Sequence, residues 1–268
     1  MVTVGEIMQL MEEIAPRALA EDWDNPGLLV GSPAQETEAV LCALDVSETV
    51  IDEAVAHHAH LIVAHHPLIF RGIKNVRTDT PLGHKLSRLL QANIAVIAAH
   101  TNLDIAAGGV NDVLAAAIGL EQVKGFVETG ELAGKKYYLG RVGELPVPVP
   151  LTEFAERVRT ALPTAALRFV RGNGRPIRKI ALCSGSGAEF IAQAAALGVD
   201  AYLTGDVRYH DAQQAAELGL AVIDAGHFGT EFPVAAHLKK RLEVLLRREG
   251  KQAEVLADDA SRDFFETL

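Results

Sequence analysis

The sequence predicts an α/β protein made of two related α/β domains with mixed sheets. Short apolar runs of strand length at residues 40–44, 61–64 and 94–98 alternate with segments whose apolar residues recur at helical spacing. The same alternation of strands and helices returns at residues 178–183, 201–204 and 220–224. Strands that alternate with helices are typical of sheets with parallel strands and helical crossovers. A chain of 268 residues is long enough for two modest domains of this kind.

The apolar strands of the two halves match in the same order, and the first half has the longer loop after its histidines. Residues 40–42 match 180–182 at a shift of 140, and residues 94–97 match 220–223 at a shift of 126. At the shift of 140, His66 falls opposite Asp206. Chance resemblance of two α/β units is the alternative, since the identity is low. We predict a first domain at 1–128 and a second at 129–268, with room for the C-terminal segment to pack back on the first.

The first half contains the clearest strand. Thr3 is a plausible N-cap for a helix over 3–20, and Ser47 for a helix that ends near His58. The run 61–64 is wholly apolar and leads into His65 and His66, where Pro67 ends the strand. The remaining predicted elements are strands at 28–30, 40–44 and 94–98, a basic loop at 71–80, and helices near 82–93 and 110–118.

The second half begins with strand signals near 123–128 and 136–142. The segment 143–151 contains three prolines and is predicted to be a rigid connector. The glycines of 184–187 favour a tight strand-to-helix turn, with an anion cradle as the weaker alternative. The other predicted elements are helices starting at Thr152, after 187, after 206 and over 232–249, and strands at 166–170, 178–183, 201–204, 220–224 and 253–256.

The composition excludes several classes of function. The net charge of −10 argues against a general nucleic-acid surface, which needs clustered Lys and Arg. The apolar runs are too short for a membrane helix, and acidic residues interrupt the first twenty positions. Cys42 and Cys183 lie inside apolar runs, where buried thiols are expected rather than a disulfide. We therefore expect a cytoplasmic protein without a membrane partner.

Four turns at strand ends carry the polar residues that suggest chemistry. If the two domains face each other, these turns line a shared metal cleft. Imidazole nitrogens and carboxylate oxygens together suit zinc, iron or manganese. Three histidines and two carboxylates, taken from such turns, would fit two ions that share a bridging carboxylate. The four turns contain His65 and His66, His100 and Asp104, Asp206 and His210, and His227 and Glu231.

Each of these groups also has a purely structural alternative. His65 and His66 could be hydrogen-bonded core histidines, and Asp104 could cap a turn. His227 and Glu231, spaced i and i+4, could form a simple hydrogen-bonded pair. Thr101 and Asn102 are predicted to orient Asp104.

Six segments together resemble the NGG-interacting-factor-three-like family in its compact form, without an inserted PII-like domain. They are EDWDNPGLLVG, LIVAHHPLIF, AAHTNLD, GRVGELPVP with LTEF after it, TGDVRYHDA and DAGHFGTE. Bacterial members of that family go under the name GTP cyclohydrolase I type 2 homologue. The resemblance implies a toroidal homohexamer and a dinuclear metal centre. It places the metal ligands at His65, His66, Asp104, His227 and Glu231.

The leading hypothesis is a metal-dependent hydrolase that opens the purine ring of a substrate such as GTP. His100 and His210 are candidates for proton transfer, while Glu21 and Asp206 lie in motif positions without an assigned role. Basic residues that could hold the phosphates of a nucleotide or another phosphorylated small molecule are Arg71, Lys74, Arg77 and Arg208. Two alternatives stay open: a two-metal phosphoesterase, and a non-catalytic metal-binding scaffold or regulatory protein.

Overall fold

The computed structural model describes residues 1–164 and 166–266, which form two compact units. Unit 1 comprises Met1–Ala107 and Val234–Arg262, and unit 2 comprises Gly108–Pro233 with the tail 263–266. The sequence placed the boundary at residue 128, whereas the structure divides the chain at 107/108. The strand over 121–132 pairs along its length with the strand that follows it, and this pairing draws it into unit 2.

The sheet of unit 1 has five strands around a parallel centre. In the order β13-β4-β5-β6-β2, all neighbours are parallel except β2, which runs antiparallel to β6. The C-terminal segment thus supplies an edge strand of the first unit. The strands of unit 1 are β1 (Val2–Thr3), β2 (Gly27–Val30), β3 (Glu36–Thr37), β4 (Ala39–Ala43), β5 (Leu61–Ala64), β6 (Ala95–Ala98) and β13 (Glu254–Ala257).

Helices of unit 1 begin where the sequence offers good caps. Thr3 and Glu6 form a capping box at the start of α1, and Ser47 caps α2. Apolar residues of α2 and α3 pack with alternate residues of β4, β5 and β6, all nearly inaccessible to solvent. The helices are α1 (Val4–Ile14), a 3₁₀ turn at Arg17–Leu19, α2 (Glu48–Ala56), α3 (Pro81–Gln91), α4 (Thr101–Ile105) and α10 (Pro233–Arg248).

Unit 2 repeats the parallel centre with antiparallel neighbours on both sides. In the order β7-β8-β10-β11-β12-β9, the strands β10, β11 and β12 are parallel, and β8 and β9 flank them antiparallel. The strands are β7 (Glu121–Leu132), β8 (Lys135–Val149), β9 (Arg168–Arg171), β10 (Ile177–Leu182), β11 (Ala201–Thr204) and β12 (Ala221–Asp224).

Helices cover both faces of this sheet. Ile180 and Leu182 of β10 belong to one apolar cluster with α5 and α6, while Ala181 and Cys183 belong to another with α7 and α8. This division follows from the alternation of side chains along a strand. The helices are α5 (Val110–Ala117), α6 (Leu151–Ala161), a 3₁₀ turn at Ala188–Phe190, α7 (Ile191–Ala196), α8 (Tyr209–Glu217) and α9 (His227–Glu231).

One predicted element was wrong. The segment 143–151, expected to be a rigid connector, is for the most part the second half of β8. Its prolines are tolerated because the ladder to β10 is irregular there: Glu144 pairs with Lys179 and Val149 with Ile177, and the intervening residues are skipped. The long strand also places Arg141, whose guanidinium is buried against the Asp112 carboxylate at 2.7 and 2.8 Å.

Two expectations about the chemistry of the chain can be checked directly. Across the described residues, no helix combines the length and apolarity needed to cross a bilayer. Cys42 and Cys183 are both buried, and neither takes part in a disulfide. Burial raises the pKa of the Cys42 thiol to about 12, so this side chain behaves as a small apolar core residue.

Candidate functional site

Strand β5 delivers two adjacent histidines at its carboxyl end. The backbone N–H of His65 donates to the carbonyl of Ala43 at 3.1 Å, and that of His66 donates to the carbonyl of Leu44 at 2.8 Å. The parallel ladder to β4 therefore continues through both histidines and fixes their backbone. His65 is fully buried, while His66 keeps part of its ring exposed. The prediction of a buried strand that ends in two imidazoles is confirmed.

Three imidazoles of unit 1 are each oriented through Nδ1. His65 Nδ1–H donates to the carbonyl of Ala99 at 2.9 Å, which fixes its tautomer because a carbonyl can only accept. His66 Nδ1 lies 2.9 Å from Asp45 Oδ1, and His100 Nδ1 lies 2.8 Å from Asp24 Oδ1. An N–H bonded to a carbonyl or carboxylate leaves the Nε2 lone pair for a ligand, the arrangement found in metal-binding histidines.

These three rings form a compact group, called here the histidine cluster (His65, His66 and His100). Their centroids are 5.0 to 5.7 Å apart, and one ring nitrogen from each lies within 4.8 Å of the others. Asp104, buried on α4, places Oδ1 3.6 Å from His65 Nε2. With the His65 proton on Nδ1, two electron-pair donors face each other, and a shared cation suits that arrangement.

Asp24 holds one side of the histidine cluster in place. Its carboxylate binds His100 and also accepts from the backbone N–H and the hydroxyl of Thr101, at 3.0 and 2.5 Å. Burial alone would raise the pKa of Asp24, but the hydrogen bonds from His100 and Thr101 outweigh it and lower the pKa to about 2. Asp24 is therefore ionised at every pH at which the protein is expected to work.

Unit 2 contains a second pair of candidate ligands on the short helix α9. His227 Nε2 lies 3.0 Å from Glu231 Oε2, and His227 Nδ1 lies 2.7 Å from Asp206 Oδ2. Asp206 adopts a left-handed backbone conformation (φ 53°) at the end of β11. With Nδ1–H donated to Asp206, a proton or a cation is required between Nε2 and the buried Glu231 carboxylate.

The turn at 184–187 makes room for that carboxylate. A Cβ at Gly185 would lie 2.1 Å from Glu231 Oε1, and Gly185 has a φ of +62°. The backbone N–H groups of Ser184, Gly185 and Gly187 donate to side chains of Asn111, Thr230 and Thr204. The turn is therefore the tight strand-to-helix connection predicted first, and its amides are engaged within the fold rather than arranged as an anion cradle.

The donor set fits divalent metal ions in both units. Each unit brings an oriented imidazole Nε2 next to the carboxylate of a buried residue, Asp104 in unit 1 and Glu231 in unit 2. Neutral imidazole with carboxylate is the combination that binds zinc, iron(II) and manganese. Groups of residues able to hold a metal ion are thus present in the structure, as expected from the sequence.

The remaining residues that the sequence singled out make contacts other than those with the candidate ligands. His210 contacts Tyr209 and Gln213 of its own helix, so its part in proton transfer stays a prediction. Thr101 and Asn102 were expected to orient Asp104, and this was wrong: Thr101 donates to Asp24, and Asn102 donates to the carbonyl of Ala15. The backbone N–H of Glu21 donates to Thr101 Oγ1, so Glu21 tethers its loop to α4.

Asp24 and Asp45 were not selected from the sequence. Asp45 follows the buried strand β4 after a single residue, Leu44, and the strand-end criterion that selected the histidines would have found it. Asp24 lies in the shaped loop after α1, and only the fold brings it to His100, 76 positions away.

Known proteins are similar to this chain in sequence and in fold. The family described as Duf34/NIF3 (NGG1p interacting factor 3) matches residues 2–263. The "GTP cyclohydrolase 1 type 2 homolog" of Clostridium acetobutylicum is 36% identical over 260 residues, which is 97% of each chain. The crystal structure of a Bacillus cereus protein related to NIF3 superposes with a TM-score of 0.93 at 27% identity, covering 99% of each chain. Reduced HcgD from Methanocaldococcus jannaschii is 32% identical with a TM-score of 0.81, covering 96% of this chain and 98% of that one.

Proposed function

Because the chain belongs to the Duf34/NIF3 family, we propose that it is a dinuclear metal-dependent hydrolase that opens the ring of a purine nucleotide such as GTP. The observation that carries the proposal is the anchoring of candidate ligand imidazoles through Nδ1, which aims Nε2 at a neighbouring carboxylate in both units. The name of the Clostridium acetobutylicum relative supports the choice of reaction.

Five residues are proposed to ligate two divalent ions of zinc, iron or manganese. They are His65, His66, Asp104, His227 and Glu231. Ala99, Asp45 and Asp206 hold the histidines in the required tautomer. When bound, such ions supply Lewis acidity and make water acidic enough to serve as a nucleophile near neutral pH.

His100 is proposed to move protons during the reaction. Asp24, ionised because its pKa is about 2, keeps the His100 proton on Nδ1 and leaves Nε2 to accept a proton or return it to the substrate. Arg71 and Lys74, exposed in the loop after β5, are proposed to bind the phosphates. Arg77 is the weaker candidate because Asp79 already pairs with it at 2.5 Å.

Metal analysis followed by turnover tests the proposal. We expect close to two divalent ions per chain in the wild-type protein, and a marked loss of metal in His65→Ala and in Glu231→Ala. His84→Ala, which removes an exposed histidine from α3, serves as the matched control and should keep its metal.

The reaction is tested on the same proteins by following ring opening of GTP. The proposal fails if metal-loaded wild type turns over GTP no faster than His65→Ala. Release of phosphate from model esters without ring opening would indicate a phosphoesterase instead. We also propose that the chain forms the homohexamer implied by its family resemblance. Light scattering on the same samples tests this, because the mass should be six times that of one chain.

A further inference from the structure

Two large aromatic side chains of unit 1 are exposed beside the histidine cluster. Trp23, the only tryptophan of the chain, is 60% exposed, and Phe70 is 41% exposed. Exposed apolar surface that gathers at one place is typical of a binding site, whereas single exposed residues are common. Packing within unit 1 does not account for these two rings, because most of the Trp23 residue is exposed to solvent.

The loops that carry these rings are fixed by hydrogen bonds. Asn25 Nδ2 donates to the carbonyl of Ile69 at 2.6 Å, which joins the Trp23 loop to the residue before Phe70. Asp24, next to Trp23, binds both His100 and Thr101. The two rings are therefore presented on tethered loops, and little ordering entropy is lost when a ligand binds them.

The rings of Trp23, Phe70 and His100 lie next to one another at steep angles, and this group is called here the aromatic wall. The centroids of Trp23 and Phe70 are 5.8 Å apart, those of Trp23 and His100 6.1 Å, and those of Phe70 and His100 6.2 Å. The interplanar angles are 57°, 76° and 83°, so none of these pairs is stacked face to face. No ring of this group lies parallel on another, and the exposed parts of Trp23 and Phe70 are accessible to a planar ligand.

We infer that the aromatic wall binds the planar heteroaromatic ring of a nucleoside phosphate by stacking, next to the histidine cluster. His100 belongs to both groups, so a ring held on the wall lies beside the imidazoles. Arg71 directly follows Phe70, and Lys74 lies three residues further on, which favours an anionic ligand. The substrate class rests on the proposed function, whereas the stacking residues are assigned from ring geometry and exposure.

Tryptophan fluorescence tests the inference, because all of it comes from Trp23. Guanosine and GTP should change the emission in a saturable manner, while ribose 5-phosphate and inorganic triphosphate should not. Phe70→Leu keeps the fluorophore and is expected to weaken guanosine binding about 5- to 150-fold, the range of a lost base–aromatic stack. The matched control is Phe169→Leu in unit 2, where the phenylalanine is 40% exposed, and it should bind guanosine like wild type.

The inference is overturned if guanosine leaves the emission unchanged, or if both phenylalanine variants bind it alike. A blue-shifted emission that moves to the red on dilution would also overturn it, because a second copy of the chain would then cover Trp23. Trp23→Leu, studied by calorimetric titration, should lose guanosine affinity to a similar extent while keeping its circular dichroism.

Failure of this inference can be separated from failure of the proposed function. If guanosine binds with the expected fluorescence change and GTP is not turned over, the reaction assignment is wrong and the aromatic wall stands. If GTP is turned over without a change in Trp23 emission, the aromatic wall is wrong and the reaction stands. Glu231→Ala removes a proposed metal ligand but no ring of the aromatic wall, so it should lose turnover and retain the guanosine response.

Discussion

The two units place short helices at the same position of the same topology but use them differently. In each unit, a five-residue helix follows the third parallel strand: α4 (Thr101–Ile105) in unit 1 and α9 (His227–Glu231) in unit 2, 126 positions apart. In unit 1 the histidines come mainly from the end of the second parallel strand. In unit 2 that strand end carries Asp206, which orients a histidine located on the helix. Topology thus determines where functional side chains lie, and sequence determines which role each position takes.

The two sets of candidate ligands also differ in how firmly they are held. His65 is fully buried and is anchored by a backbone carbonyl, whereas the His227 side chain is 38% exposed and its partner Asp206 is 45% exposed. We therefore expect the candidate ligands of unit 2 to be displaced more easily than those of unit 1.

The largest effect is expected at Gly185, which makes room for Glu231. In Gly185→Ala the new Cβ would lie 2.1 Å from Glu231 Oε1 and 3.2 Å from His227 Nε2. Both are ends of side chains, so the fold can adjust while the ligands are displaced. Metal affinity should fall about 100-fold or more, because the change displaces candidate ligands directly, whereas loss of a residue that only supports a ligand costs about 10- to 100-fold. Competition with a metallochromic chelator measures it.

Gly198→Ala separates this effect from backbone strain. Gly198 has a similar φ of +67°, but a Cβ there meets nothing within 4 Å. Both variants should lose about 1 kcal/mol or somewhat more of stability from the left-handed alanine. If Gly198→Ala loses as much metal as Gly185→Ala, strain rather than intrusion on Glu231 is the cause.

An intermediate effect is expected when the carboxylates that orient histidines lose their charge. Asp45→Asn in unit 1 and Asp206→Asn in unit 2 should each weaken metal binding by about 10- to 100-fold, since both support an Nδ1–H. Exposed Asp22 serves as the charge control, and Asp22→Asn should bind metal like wild type. Equal affinities for all three variants would show that these anchors do not set the ligand strength.

The smallest effect concerns buried charge away from the ligands. Unit 2 pairs the buried Arg141 with the partly exposed Asp112, whereas unit 1 brings Glu53 next to the buried carboxyl of Asp258. Burial, followed by the charge of Asp258, raises the pKa of Glu53 from 4.5 to about 7. The stability contributed by protonated Glu53 is complete below pH 4.5. It falls as the pH rises and is lost above about pH 7.

Glu53→Gln should remove this pH dependence. The variant should be more stable than wild type at pH 8 by about 1 kcal/mol, a value reduced for partial exposure, and the two should be much closer at pH 4. Differential scanning calorimetry should detect a shift of about 2–4 °C. Glu36→Gln, at an exposed position, is the control. An unchanged difference between pH 4 and pH 8 in Glu53→Gln would contradict the assigned cause.

Much of the fold followed from local patterns. The run 61–64 was recognised because four apolar residues precede two histidines and a proline, and the helix starts at Ser47 and Thr3 because caps act within one turn. The segment 143–151 was misjudged because proline is a local signal, whereas its strand state depends on pairing with β7 and β10. The fold class was recoverable because it depends on alternation alone.

The site was predictable only in part for a similar reason. Residue type and strand-end position identified the candidate ligands, but hydrogen-bond partners are set by tertiary contacts. Asp24 reaches His100 across 76 positions, and Thr101 serves Asp24 rather than its near neighbour Asp104. Gly185 carried only a turn signal in the sequence, and its closeness to Glu231 required the fold.

The strand β13 has a consequence for how the protein is made. Its residues, Glu254–Ala257, pair with Ala39–Cys42 at the edge of the unit 1 sheet, although the chain leaves unit 1 at Ala107. During translation the ribosome therefore completes the whole of Gly108–Pro233 before it makes the last strand that unit 1 requires. Since nascent domains generally fold as units from the N-terminus, the order is inverted here: the inserted unit can close first, and unit 1 must wait. Until then the edge of β4 stays open, and it is the surface that a nascent-chain chaperone would be expected to shield.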